Sequence, residues 1–144
     1  MSDSQGKTLT LSAVTGATTL RDTPFSTEGI RSPVFSVEIS AKGSSNAGDT
    51  LIVTIQHTNA DAGTYGTTDD TYWSTYLTMT TIQASTVTPV PGYIEHKNDT
   101  DSGSSNTPKP FGKNMRIKYV TADASGTGSW TGKVRIAWNN AVTQ

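Results

Sequence analysis

Few side chains here can do acid–base chemistry. The 144-residue chain holds two histidines, His57 and His96, no cysteine, and three glutamates, Glu28, Glu38 and Glu95. A nucleophile–base–acid relay needs a histidine beside a nucleophile and an acid. Neither Gly-x-Ser-x-Gly nor His-Glu-x-x-His occurs in the sequence. Paired Asp and Glu carboxylates remain the one route to hydrolysis, and no motif carries it. No enzymatic activity and no cofactor are therefore expected. The lack of cysteine removes disulfide frameworks, thiolate zinc sites and thiol catalysis. Asp99-Thr100-Asp101-Ser102-Gly103 is spaced like the opening of a calcium loop, so Asp99 and Asp101 are candidate calcium ligands. The bidentate Glu that an EF-hand needs at its twelfth position is here Pro110, and Asp/Gly turns form readily without metal.

Binding is the alternative to catalysis, and the basic residues offer it. Residues 114–121 set Met115, Ile117 and Tyr119 against Arg116 and Lys118; residues 129–139 set Trp130, Val134, Ile136 and Trp138 against Lys133 and Arg135. Strands with that alternation bury one face and wet the other. If the two form a hairpin across 122–128, Arg116, Lys118, Lys133 and Arg135 share an outer face. Like charges opposite one another are destabilising. Acids on an adjacent strand, or an acidic partner, should compensate. The plainer function of such charges is to keep a sheet from aggregating. A net charge of −1 argues against a nucleic-acid binder that works by bulk charge.

The aromatic residues raise carbohydrate binding. Trp130 and Trp138 share a face with Val134 and Ile136, which makes them core residues. Trp73 shares one with Leu77 and Met79, leaving Tyr72 and Tyr76 opposite as surface candidates.

The elements that must position these groups are strands. Thr (26 residues) and Ser (16) supply the polar half of an alternating pattern, and β-branched Thr suits a pleated surface. Residues 34–41 alternate Phe35, Val37, Ile39 and Ala41 with Ser36, Glu38 and Ser40. Residues 50–58 are richer in apolar side chains, as a central strand is, and 71–82 form another Thr-rich strand. Segments 7–12, 17–21 and 85–90 are weaker strands, the last demoted by Pro89. Helical periodicity is nearly absent, with single turns at most near 46–49 or 60–63. Residues 59–70 and 91–112 read as long loops. No stretch approaches the ~18 apolar residues of a membrane span. No charged segment precedes an apolar one at the N-terminus, so neither a membrane partner nor a secretory signal is expected. The expected fold is all-β: a single antiparallel β-sandwich, jelly-roll or immunoglobulin-like, over 34–144. Residues 1–33 are read as an extended N-terminal arm with the first edge strands. In that arm Thr8, Leu9, Thr10 and Leu11 could add to a neighbour's sheet through main-chain hydrogen bonds.

Val34-Phe35-Ser36-Val37-Glu38-Ile39-Ser40, Thr50-Leu51-Ile52-Val53-Thr54-Ile55-Gln56-His57-Thr58 and Tyr72-Trp73-Ser74-Thr75-Tyr76-Leu77-Thr78-Met79 follow one another in an order that resembles small structural proteins of tailed-bacteriophage virions. Asn114-Met115-Arg116-Ile117-Lys118-Tyr119-Val120 and Val134-Arg135-Ile136-Ala137-Trp138 complete it. The resemblance implies a capsid decoration (cement) protein or head accessory protein. It further implies a homo-oligomer, often a trimer, seated on major capsid protein or neighbouring virion subunits after assembly in the host cytoplasm. It brings no catalytic residues. Alternatives are a tail-tube or head–tail joining subunit and a carbohydrate- or receptor-binding module.

Overall fold

The computed structural model describes residues 4–88, 92–98 and 110–140. Ten strands follow in order: β1 (Ser4–Thr15), β2 (Thr19–Arg21), β3 (Phe25–Ser26), β4 (Ile30–Lys42), β5 (Asp49–Thr58), β6 (Ser74–Thr78), β7 (Ile82–Gln83), β8 (Tyr93–Asn98), β9 (Asn114–Asp123) and β10 (Ser129–Asn140). All pairings are antiparallel. One sheet runs β1-β10-β4-β8 and the other β2-β9-β5-β6, with β3 added on β9 and β7 on β5.

The connectivity selects one of the two expected sandwiches. With the two-residue strands β3 and β7 set aside, eight strands remain. The first of them pairs with the last, the second with the seventh, the third with the sixth and the fourth with the fifth. That nesting is a long hairpin rolled across two sheets, which is the jelly roll and not the immunoglobulin arrangement.

Alternation builds the core as expected. Phe35, Val37 and Ile39 of β4, Leu51, Val53 and Ile55 of β5, Met115, Ile117 and Tyr119 of β9, and Trp130, Val134 and Ile136 of β10 are all buried between the sheets. Trp138 packs at the margin of this core, its ring stacked on Phe25 with centroids 5.6 Å apart.

Several expectations are corrected. The strands 114–123 and 129–140 are not a hairpin: β9 lies in one sheet between β2 and β5, β10 in the other between β1 and β4. The segment 124–128 crosses from sheet to sheet, because β9 is flanked by β5 on one side and by β2 and β3 on the other, and β10 by β1 and β4. Residues 4–15 form the edge strand of the four-stranded sheet, with Leu11 buried in the core. Tyr76 is buried, not exposed: β5 and β6 shift register between Ile55 and Gln56, which turns both Tyr76 and Leu77 inward. The 46–49 and 61–65 segments are turns closed by Asp49 N–Asn46 O (3.1 Å) and Thr64 N–Asp61 O (3.0 Å). Among the described residues there is no helix, hence none long and apolar enough to cross a membrane.

Candidate functional site

The ladder registers assemble an outer face on the four-stranded sheet. Directly opposite residues in an antiparallel ladder point to the same side. Arg135 faces Thr8 on β1 and Ser36 on β4; Lys133 faces Thr10 and Glu38. On the far side of β4, His96 continues the Arg135 row and Ile94 the Lys133 row. A third row reads Gly6, Ala137, Val34 and Asn98. Val34 and Ile94 are 42% and 50% exposed, so the face is basic at its centre and apolar toward β8. Glu38 lies opposite Lys133 in the ladder. No hydrogen bond or ion pair among the described residues engages Lys133 or Arg135.

The four basic candidates are thus divided two and two. Arg116 and Lys118 lie on the other sheet and are committed within the protein. Arg116 is fully buried although it points away from the core, because residues 59–73 fold over that face of the sheet. Its Nε donates to Gln56 Oε1 (2.8 Å), one terminal nitrogen to Gly66 O (3.0 Å), and the other to Asp69 O (2.7 Å) and Asp70 Oδ1 (3.0 Å). Burial pulls its pKa down, opposed by the Asp70 charge. Lys118 Nζ meets Asp70 Oδ2 at 2.7 Å, and Arg21 Nε meets Asp70 Oδ1 at 2.8 Å. The hydrogen bond from Arg21, then those from Lys118 and Gln56, hold the Asp70 carboxyl far below the usual carboxylate range against the cost of its desolvation. This is a structural clasp. Its sequence signals were Gly66, the Asp69-Asp70 pair and Trp73, which only the fold relates to Arg116.

Of the arm candidates, Thr8 and Thr10 stand exposed on the outer face beside Arg135 and Lys133, whereas Leu9 and Leu11 turn toward the core. The histidines are apart. His57 Nδ1 accepts the Gly112 amide at 2.9 Å and its ring meets Tyr76 edge-on, while His96 lies on the other sheet. Asp49, buried at the end of β5, accepts the Ser44 and Ser125 hydroxyls and the Ser125 amide (2.9 Å). It thereby ties the 43–48 and 124–128 loops together, and the Ser125 and Ser44 hydroxyls hold its pKa below the ordinary value. Asp99 and Asp101 lie outside the described residues. Among the described residues no group of three His, Asp or Glu could hold a metal. No buried side-chain nitrogen or oxygen among them lacks a hydrogen-bond partner.

The fold thus defines a jelly-roll domain. No family model and no curated protein matches the chain. Among solved structures, a chain from the structure of infectious bursal disease virus Gx strain is similar at TM-score 0.39 and 16% identity, over 95% of this chain and 31% of that one. The protein therefore spans about a third of that chain's length, and at this similarity no residue role passes from one to the other.

Proposed function

We propose that this protein is a non-enzymatic virion structural protein, a capsid decoration protein that attaches to the assembled major capsid lattice and stabilises it. Jelly rolls serve as viral capsid and lectin domains, so the fold is compatible with the role without assigning it. The observation that carries the reading is the pairing of Lys133 and Arg135, uncommitted among the described residues, with Thr8 and Thr10 on one exposed sheet face. An acidic capsid surface would meet a basic centre with hydroxyl donors on one side and apolar Val34 and Ile94 on the other. Binding only the assembled state stabilises that state by mass action. The sequence resemblance to tailed-bacteriophage virion proteins supports the same reading, with the virion as the proposed location.

The test is attachment of Lys133→Gln/Arg135→Gln protein to capsids that lack it, measured across ionic strength. Weaker attachment with a flatter salt dependence is expected. Attachment equal to wild type at every salt concentration would falsify the docking face.

One observation favours a second reading, glycan or receptor binding. Tyr72 is 66% exposed and held at φ +65°, a conformation rare for a bulky residue. Loss of glycan-induced fluorescence change in Tyr72→Ala would support it.

A further inference from the structure

Among the described residues the two sheets have four edges, two of them shared by short strands (β2 with β3, β6 with β7), and they are not equally guarded. β2 is three residues long and β6 five. β8 is stitched to the other sheet, with Glu95 accepting the Thr80 amide (3.0 Å) and Lys97 donating to Thr78 O (3.1 Å). β1 differs. From Ser4 to Leu11 it pairs with β10 in unbroken register, and it holds no proline. Its one charge, Lys7, is bridged to Asp22 at 3.7 Å. Only after Leu11 does a register shift, with Ala13 at φ +47°, end the regular edge. Among the described residues, the backbone of 4–11 makes no hydrogen bond except to β10. A long, flat, nearly uncharged edge is a template for another strand.

We infer that the free edge of β1 pairs with the same edge of a second copy of this chain, joining two four-stranded sheets into one of eight strands about a two-fold axis. A second copy fits because it closes two equal edges at once and brings no unpaired charge, Lys7 being already matched by Asp22. An axis perpendicular to the sheet makes the strands antiparallel and keeps outer faces together, so it must pass beside a single residue. Lys7 on the axis would oppose Lys7, which is unfavourable. Thr8 on the axis pairs Gln5 through Leu11, sets Thr8 against Thr8 and Lys7 against Leu9, and retains seven of the eight regular positions from Ser4 to Leu11. The register is therefore centred on Thr8. This inference stands apart from the capsid reading, since it concerns the free protein.

The absence of cysteine makes the test clean. Residues directly opposite across an antiparallel ladder have Cα atoms about 4.5–5.5 Å apart, within disulfide reach. Thr8→Cys should form a disulfide-linked dimer on mild oxidation. Thr10→Cys, which faces Gly6 of the other copy, should not. Thr8→Lys, a change at an exposed position, should leave a folded monomer where wild type sediments as a dimer. A wild-type monomer at every concentration overturns the proposal, as does linking of Thr10→Cys equal to or greater than that of Thr8→Cys.

Discussion

The Arg116 guanidinium carbon lies 4.1 Å from the centre of the Trp73 ring, and both residues donate to one acceptor, the carbonyl of Gly66. Arg116 comes from a sheet strand and Trp73 from the end of the loop that covers it. Their shared acceptor belongs to the same loop, seven residues before Trp73, so the loop is closed on itself and on the sheet at one point. Asp69 Oδ1 packs against Gly66 where a Cβ would sit, so a side chain there would displace the Asp69 carboxylate.

Truncating that point should release the loop. Arg116→Gln is expected to cost about 3 kcal/mol, the scale of breaking a buried ion pair and orphaning its acceptors. Arg116→Lys should rescue little, because an ammonium cannot span the fork of acceptors. Denaturant unfolding gives the loss, and limited proteolysis within 59–73 shows where it falls.

The clasp also sets an acid limit. The folded-state pKa of Asp70 is depressed, so its contribution is complete above the ordinary carboxylate value of about 4 and declines as pH falls below it. Wild-type stability should therefore decline as pH falls from about 5. Asp70→Asn should be less stable at neutral pH and show a shallower decline. Parallel curves would show that Asp70 does not carry the effect.

Charge reversal should separate the two basic pairs. Arg135→Glu should weaken attachment to capsids and leave thermal stability nearly unchanged, since it removes no hydrogen bond within the described chain. Lys118→Glu places a second acid beside Asp70, now 2.7 Å from Lys118 Nζ, and should lower stability through repulsion. Paired melting and capsid-binding measurements would show whether the two positions divide in this way.

Gly132 offers a further check, independent of charge. It sits at the β10–β4 register shift, and a Cβ there would run into the Glu38 carbonyl. Gly132→Ala should cost about 1–3 kcal/mol, as overpacking does, and unfolding by urea would measure it.

Sheet formation was legible in the sequence because period two is written by single strands. Phe35/Val37/Ile39 and Val134/Ile136 identified their faces without any partner. What escaped depended on contacts distant in sequence. β8 was read as loop because its polarity is inverted, with Glu95 turned toward the Thr80 amide and Ile94 toward solvent. Arg116 alternated correctly, but the loop that buries it is separated from it by 43 residues, the interval from Trp73. The adjacency of Thr8 and Thr10 to Arg135 and Lys133 was likewise out of reach, since it depends on the pairing of the first and last described strands.

That first-to-last pairing has a consequence for synthesis. In the four-stranded sheet, β10 is the bridge between β1 and β4, and it is the last of the described strands to leave the ribosome. Until it emerges, β1 has no neighbour to hold and the backbone edge of β4 on that side is unpaired. Contacts so distant in sequence make closure slow and late. A chain halted before β10 cannot complete the basic face or seat β1 in the sheet. The topology thus delays completion of the four-stranded sheet until the chain has been translated through β10.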